Sequence, residues 1–280
     1  DGFAYWHYWF GNGFQTLEKV PEIHCKDKSI NIDYFFSWAN SDWTKSWVGD
    51  DESVIFKQRY DVSRIEDHYN YLCSFFDDNR YLKKKGKPVF QVLNPESIKC
   101  QKYILELENL FQKNNNRGLC WIFPNEKMDF MDRLEYQIAD FPPGDVLKSN
   151  FFYRIKRKIQ NLGIYKRPER VSETEYIYLF ERLFKRQTDK YGDQYIACLL
   201  SGWDNTPRYN SRGYIVGDSV ESILEKQIGS FMKLENLYKN DLLLIKAWNE
   251  WAEGNILEPY SFNGDKFEPA RFISTLKQLR

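Results

Sequence analysis

The stretch that decides the fold is DLLLIKAWNEWAEG, residues 241–254, in which an apolar run ends abruptly at two carboxylates. The apolar run predicts a buried strand over Leu242–Trp248. The polar residues Asn249–Gly254 predict the loop that leaves its C-terminal end. Were the strand to continue, Glu250 and Glu253 would face opposite sides, because side chains alternate along a strand. A bend after Trp248 is therefore expected, since it turns both acids towards one cleft.

Two carboxyl groups beside two indole rings match the needs of glycosidic bond cleavage. One acid exchanges a proton with the bridging oxygen, the other drives displacement at the sugar carbon, and the rings stack on sugar faces. The alternative interpretation is a solvated surface loop, or acids that only cap a helix.

The rest of the chain alternates between predicted strands and helices. Further strands are predicted over residues 3–9, 32–38, 88–93, 119–123, 136–141 and 196–200, and helices over residues 63–84, 97–113, 174–190, 220–237 and 269–279. This alternation predicts an α/β fold in which helices cover both faces of a parallel sheet.

Seven strands are one short of the eight that close a (β/α)8 barrel, whose active sites lie at the C-terminal strand ends. We expect a single barrel domain over residues 1–280, with a first strand that precedes Asp1 and is missing from this chain. An open doubly wound sheet is the alternative. Gly11-Asn12-Gly13 offers only two of the glycines that a dinucleotide-binding loop requires.

With a formal net charge of zero, the chain lacks the overall positive charge that would favour binding to nucleic acid or to an anionic membrane. The basic clusters Lys83–Lys85 and Arg154–Lys158 are interpreted as solvated helix faces. Aromatic residues make up 18% of the chain, an excess that favours stacking on planar or sugar ligands. No apolar stretch is long enough to span a membrane.

The five cysteines are scattered, odd in number and without metal-ligand spacing, so a reducing, cytoplasmic location is expected. A leader before Asp1 would leave export open. With three histidines and no pair at ligand spacing, we expect neither a metal nor a cofactor. Asp50–Asp51 and Asp77–Asp78 are interpreted as solvated surface, and Cys120 and Cys198 as small core residues.

Four predicted strand ends share one formula, an indole followed by Asn, Asp or Arg. The formula predicts the substrate-binding residues Trp6, His7, Tyr8, Trp9, Trp38, Asn40, Trp43, Trp203, Asp204, Asn205, Arg208, Trp248, Asn249 and Trp251. By alternation, His7 and Trp9 share one strand face, and Trp6 and Tyr8 share the other. A structural, hydrogen-bonded role is the alternative for His7.

Four ordered motifs resemble the WbsX-like family, glycoside hydrolase family 99-like proteins associated with lipopolysaccharide and O-antigen biosynthesis genes. They are Trp6-His7-Tyr8-Trp9-Phe10, Trp38-Ala39-Asn40 with Trp43, Gly202-Trp203-Asp204-Asn205-Thr206, and Trp248-Asn249-Glu250-Trp251-Ala252-Glu253-Gly254 with Leu257-Glu258-Pro259. The resemblance implies a (β/α)8 barrel related to endo-α-mannosidases and endo-α-mannanases. Two departures are the absence of a counterpart to the family's opening strand, and Asp42 where the family usually has Glu.

The resemblance also implies retaining catalysis through an anhydro-sugar intermediate. Glu250 would act as base on the sugar's 2-hydroxyl, and Glu253 as general acid on the leaving oxygen. Glu253 would then keep its proton near neutral pH, which requires an apolar or like-charged setting. The implied substrate is an α-linked, mannan-like oligo- or polysaccharide, which would be hydrolysed internally or transferred.

Two other classes remain open. A nucleotide-sugar glycosyltransferase would require a nucleotide-binding fold, usually with an Asp-x-Asp metal motif, and the sequence has neither. A non-catalytic glycan-binding barrel is the other, although retention of both Glu250 and Glu253 favours an enzyme. The sequence predicts no oligomeric state.

Overall fold

The strand–helix alternation predicted from the sequence is present in both parts of the chain. The computed structural model describes residues 1–45, 50–115, 117–124, 126–161, 167–217, 220–262 and 265–267. They divide into an N-terminal unit of residues 1–45 and 51–138, and a C-terminal unit made mainly of the described residues from Ala139 onward. The predicted helix over residues 269–279 lies outside the described residues, and the single-domain interpretation stays a prediction.

The N-terminal unit is a sheet with three helices. Its strands are β1 (Gly2–Gly11), β2 (Phe14–Thr16), β3 (Asp33–Trp38), β4 (Trp43–Lys45), β5 (Asp50–Phe56), β6 (Lys83–Lys84), β7 (Lys87–Val92), β8 (Cys120–Pro124) and β9 (Glu135–Ala139). Its helices are α1 (Lys19–Lys26), α2 (Ile65–Phe76) and α3 (Ile98–Asn115).

Parallel pairing joins β1 to β3, β3 to β7 and β7 to β8. The sheet order in this unit is β9-β8-β7-β3-β1-β2, with β2 antiparallel to β1. The central strands are apolar along their whole length because both faces are covered, and Phe36, Phe90 and Trp121 are fully buried. The parallel α/β sheet predicted from the sequence is confirmed.

The C-terminal unit has shorter strands. Its helices are α4 (Gly144–Lys148), α5 (Phe151–Asn161), α6 (Glu173–Tyr191), α7 (Thr206–Tyr209) and α8 (Val220–Leu234). Its strands are β10 (Glu169–Val171), β11 (Tyr195–Ile196), β12 (Cys198–Leu200), β13 (Trp203–Asp204), β14 (Tyr214–Val216), β15 (Leu244–Lys246), β16 (Asn249–Glu250), β17 (Asn255–Ile256), β18 (Tyr260–Phe262) and β19 (Asp265–Phe267).

The strand that precedes the two carboxylates, β15, pairs in parallel with β12. It ends at Lys246, two residues before the predicted end. The loop predicted after it is a short antiparallel hairpin of β16 and β17, closed by a 3-10 turn over Trp251–Glu253. The strand pairings of the described residues do not close into a barrel, so barrel closure stays a prediction.

The predicted helix over residues 63–84 is too long. It begins with a 3-10 turn at Val62, and α2 ends at Phe76. The chain then forms β6, which pairs antiparallel with β7 through a turn at Lys85-Gly86. Both turn residues have positive φ, 51° and 78°, as a two-residue hairpin requires, and Gly adopts that conformation without strain.

Candidate active site

The loop with the two carboxylates is fixed by a buried amide, that of Asn255. Its Oδ1 accepts hydrogen bonds from the Ala247 amide (2.7 Å) and the Ser201 hydroxyl (2.8 Å). Ser201 follows β12 and Ala247 follows β15, so Asn255 ties the returning arm of the hairpin to both strand ends. Asn255 is fully buried, and its side chain therefore acts as an internal brace for the loop.

The turn between the two acids is shaped by backbone contacts. The amides of Leu257 and Glu258 both donate to the Trp248 carbonyl, at 2.7 and 2.9 Å. Gly254 ends the 3-10 turn with φ of +59°, and a Cβ placed there would lie 3.2 Å from the Asp204 amide nitrogen. Glycine therefore permits both the left-handed turn and the close approach of β13.

One guanidinium joins the two predicted catalytic acids. Arg208, on α7, donates through Nη2 to Glu250 Oε1 (2.9 Å) and through Nη1 to Glu253 Oε1 (2.9 Å). The three side chains are partly buried, with Glu250 33% exposed and Glu253 16%. The bend predicted after Trp248 therefore does bring both acids to one place.

A second cation, Lys246, lies beside Glu253. Its Nζ is 4.0 Å from Glu253 Oε2 and donates to the Pro142 carbonyl at 3.4 Å. The ammonium also lies over the Phe141 ring, 4.4 Å from its centroid, and over the Trp203 ring at 4.6 Å. Both are cation–π distances. We call Arg208, Lys246, Glu250 and Glu253 the carboxylate cluster.

Burial and charge act in opposite directions on Glu253. Burial raises the pKa of Glu253, the Lys246 and Arg208 cations lower it, and the Glu250 carboxylate raises it, with a net rise. Burial lowers the pKa of Lys246, which the neighbouring carboxylates partly offset. The raised pKa agrees in direction with the proton-holding role predicted for Glu253, although burial and not like charge is the largest cause.

Two buried donors at this cluster have no hydrogen-bond acceptor among the described residues. They are Nε1 of the Trp203 indole and Nε of Arg208. Buried donors are nearly always paired in folded proteins, so two in one place are unusual. Neither atom is exposed to solvent, so both unpaired donors lie beneath the surface of the cluster.

The other predicted residues of this unit have mixed environments. Asp204 accepts from the amide (2.9 Å) and hydroxyl (2.6 Å) of Thr206, and buried Asn205 accepts from the Tyr214 amide (2.8 Å). These two side chains therefore fix α7 and the position of Arg208. Trp251 is 53% exposed, and its indole donates to Glu258. Trp248 is half-buried and Asn249 exposed, both next to Glu250 in the chain.

In the N-terminal unit, four residues predicted to contact sugar lie inside the core, namely His7, Trp9, Trp38 and Asn40. The prediction therefore needs correction for these four residues. Trp38 is 0% exposed, and its indole donates to the Trp9 carbonyl at 3.0 Å. His7 lies 2.9 Å, Nε2 to Nε2, from His68, and Trp9 stacks on His68 at 4.6 Å. No sugar reaches the rings of this group, which we call the aromatic cluster: His7, Trp9, Trp38 and His68.

The histidine pair is electrically neutral. Burial lowers the pKa of His7 to about 3, and burial and then His7 lower the pKa of His68 well below its usual value. A buried imidazolium would lack solvation, so one neutral ring donates to the other. His7 is therefore a structural residue, as in the alternative interpretation.

Asn40 is also buried and serves the fold. Its Oδ1 accepts from the Asn94 amide at 2.8 Å, and its Nδ2 lies 2.7 Å from the Asn94 carbonyl and 3.0 Å from the Tyr60 hydroxyl. These contacts occupy both N–H donors of the amide, and the side chain is too deeply buried for a sugar to reach its oxygen. Substrate contact predicted for Asn40 is wrong for the same reason as for Trp38.

The remaining predicted contacts in this unit lie on the opposite strand face, as alternation predicts. Trp6 is exposed, and Tyr8 stacks on the Trp43 ring at 5.0 Å. A cavity of 310 Å³ lies beside β1 and is lined by Phe10, Gly11, Asn12, Phe14, Ile55, Phe56, Lys57 and Arg59. Sugar contact at Trp6, Tyr8 and Trp43 stays a prediction.

The interpretation of Asp77–Asp78 as solvated surface is wrong for Asp78. Its buried carboxylate accepts from Arg80 Nη2 (2.7 Å) and Lys28 Nζ (2.8 Å). Arg80 in turn donates to the carbonyls of residues 24, 25, 27 and 30, which fixes the chain after α1. The described residues contain no group of His, Cys, Asp and Glu that could hold a metal ion.

Sequence reasoning did not single out Lys246 or Asn255. Lys246 is the one charged residue inside the apolar run of residues 242–248, and a lysine within a strand predicted to be buried is the signal that could have marked it. The structure corrects the prediction of a buried strand, because the residues of β15 are only half-buried. Asn255 carries no comparable signal, because its role depends on two strand ends that are distant in sequence.

The fold of the chain is similar to those of two solved proteins. The GH99 endo-alpha-mannosidase from Bacteroides thetaiotaomicron superposes with a TM-score of 0.51 at 12% identity, over 97% of this chain and 74% of that one. A glycoside hydrolase-like protein superposes with a TM-score of 0.50 at 13% identity, over 93% and 73%. At such identities the likeness shows the fold alone.

Sequence comparison identifies the family. The model of the family described as Glycosyltransferase WbsX matches residues 1–270, and the chain belongs to that family. Uncharacterized protein WxcX of Xanthomonas campestris pv. campestris, strains B100 and ATCC 33913, is 23% identical over 266 residues, covering 92% of this chain. The chain spans about a third (36%) of the length of these curated relatives.

Proposed function

We propose that the protein is a carbohydrate-active enzyme that cleaves or transfers α-linked, mannan-like polysaccharide with Glu250 and Glu253 on a (β/α)8 barrel. The observation that carries the proposal is the Arg208 guanidinium bonded to both acids at 2.9 Å. It brings two carboxyl groups to the two terminal nitrogens of one guanidinium, beside the unpaired donor of Trp203. Family membership and the GH99-like fold support a glycan as substrate.

In this mechanism Glu250 accepts the proton of the sugar's 2-hydroxyl while the 2-oxygen of the sugar attacks the anomeric carbon. Glu253 gives its proton to the departing glycosidic oxygen, so the bond to the leaving sugar breaks and an anhydro-sugar forms. The Glu253 carboxylate then accepts a proton from water or an acceptor hydroxyl, whose oxygen opens the anhydro ring, and Glu250 returns its proton to the 2-oxygen. The raised pKa of Glu253 supports its role as the acid.

The contacts of Arg208 define what substrate binding must change. A guanidinium bonded to Glu253 favours the ionised carboxyl, whereas the acid role requires the protonated one. The leaving oxygen must therefore displace Arg208 Nη1 from Glu253, while the hydrogen bond from Nη2 to Glu250 can remain.

Glycosyl transfer is the second candidate, and the name of the family favours it. Water and an acceptor hydroxyl would use the same two carboxylates. Hydrolysis results when the oxygen of water opens the anhydro ring, and transfer results when the oxygen of an acceptor hydroxyl does so.

The test is product analysis by mass spectrometry after incubation with α-mannan and with the host's surface polysaccharide. Glu250→Gln and Glu253→Gln each remove one acid with little change in volume, and we expect both to lose at least a hundredfold in turnover. Glu225→Gln, an exposed carboxylate on α8, is the matched control and should keep wild-type activity. Wild-type activity in Glu253→Gln would refute the mechanism.

A further inference from the structure

Helix α5 is amphipathic in an unusual sense, because its inward face is the polar and aromatic one. Tyr153, 7% exposed, meets the Tyr214 ring edge-on at 6.2 Å. One turn later the Arg157 guanidinium lies 5.2 Å from the same ring centroid and donates to the Arg212 carbonyl at 2.8 Å. These contacts join the helix to the rest of the C-terminal unit.

The apolar face of α5 is turned to solvent. Phe151 is 60% exposed and Phe152 73%, and Ile155 and Ile159 are exposed as well. At about 100° per residue these four side chains form one stripe on the side opposite Tyr153 and Arg157. Globular proteins normally bury such a stripe, and an exposed one marks an interaction surface.

Basic residues border the stripe. The helix carries Arg154, Lys156, Arg157 and Lys158 and no acidic residue. Lys156 lies on one side of the stripe, while Arg154 and Lys158 lie on the other. The side chain of Lys156 is 63% exposed, although its Nζ is 3.5 Å from Glu169. The Arg154 guanidinium lies 5.7 Å from the Phe151 ring centroid.

We propose that α5 binds the surface of an anionic phospholipid bilayer, with its axis in the membrane plane. Phe151, Phe152, Ile155 and Ile159 enter the boundary between headgroups and acyl chains, and Arg154, Lys156 and Lys158 contact lipid phosphates. An apolar stripe between basic residues is the arrangement that interfacial helices use.

Charge complementarity favours lipid over a second copy of the chain or another protein. A dimer formed through this face of α5 would bring six basic residues together with no acid on either helix, because Arg154, Lys156 and Lys158 border the stripe in each copy. A bilayer supplies both an apolar interior and a layer of negative charge. The zero net charge of the chain conceals this surface, because acidic residues elsewhere balance a helix that is locally basic.

The proposal is tested by co-sedimentation of the full chain with vesicles of phosphatidylcholine alone or with about a third phosphatidylglycerol. We expect binding to the anionic vesicles that falls at least tenfold in 0.5 M salt, because electrostatic attraction is screened. The double variant Phe151→Ser/Phe152→Ser should lose at least tenfold in partitioning. So should Arg154→Glu/Lys158→Glu, through loss of charge.

Val20→Ser/Ile23→Ser is the matched control, since these α1 side chains are comparably exposed but lie beside an acid, Glu22. It should bind like wild type, and circular dichroism melts should show that every variant folds. Absence of binding, or equal binding to neutral vesicles, would overturn the proposal. So would sedimentation equilibrium showing a dimer that Phe151→Ser/Phe152→Ser dissociates, because the second copy would then be the occupant.

Discussion

The aromatic cluster and the carboxylate cluster both include residues from predicted strand ends that share one sequence formula. Only the carboxylate cluster has the properties of a reaction site. In the aromatic cluster the rings are buried and the two histidines are neutral. The carboxylate cluster holds four ionisable groups that stay partly exposed. Aromatic and polar residues at a strand end therefore predict where a site can lie, whereas charge and exposure decide whether it can act.

The largest effect is expected from Trp38→Ala in the aromatic cluster. Removal of a fully buried indole leaves a cavity and costs about 3–5 kcal/mol in the free energy of unfolding. Urea denaturation measures this cost. A loss below about 1 kcal/mol, with reduced glycan binding in folded protein, would instead assign Trp38 to the substrate site.

A buried carboxyl outside the carboxylate cluster should affect stability and not chemistry. Burial raises the pKa of Asp140 to about 7, and Tyr195 and Gln187 donate to it. Because this folded-state pKa exceeds the unfolded value of about 3.9, its contribution is complete below about pH 4 and is lost as pH rises through 7. The loss is at most about 4 kcal/mol.

Asp140→Asn removes this titration. As pH rises from 4 to 8, the wild type should therefore lose stability relative to the variant. Denaturation at both pH values measures the difference. A parallel pH dependence in the two proteins would show that Asp140 does not titrate in this range.

Lys246→Met tests the electrostatics of the carboxylate cluster with a side chain that can stay between the Phe141 and Trp203 rings. Loss of the ammonium 4.0 Å from Glu253 should raise the pKa of Glu253 further. The proposed acid is the protonated form, so the alkaline limb of the kcat profile should move to higher pH. Lys233→Met, exposed on α8, is the control and should leave the profile unchanged.

Trp251→Ala should have the smallest effect on stability, within about 0.5 kcal/mol, because half of the ring is already in water. If Trp251 stacks on sugar, glycan affinity should fall by up to about tenfold, the loss of one aromatic contact. Calorimetry in a Glu253→Gln background separates binding from turnover. Unchanged affinity would remove Trp251 from the binding surface.

The strands could be predicted because their apolar runs are interrupted by Gly, Pro and polar clusters, and the carboxylate loop because it follows one such run. The burial of Trp38 and Asn40 could not be predicted, because the local sequence around an indole or an amide at a strand end does not show whether the side chain packs inward or outward. The ion pair of Asp78 with Lys28 was missed for a related reason, because it joins residues 50 positions apart. The pairing of Arg208 with both acids is a tertiary contact over 42 and 45 residues, beyond any local pattern.

The central claim is that Glu253 is prepared to hold a proton, and direct titration of its carboxyl tests it without knowledge of the substrate. Protein labelled with carbon-13 at the glutamate side-chain carboxyl is titrated by NMR, and the signal absent from Glu253→Gln identifies the residue. We expect its midpoint above the usual glutamate value of about 4.3, since burial outweighs the two cations. A midpoint at or below that value would show Glu253 ionised throughout the neutral range, which contradicts its role as the acid.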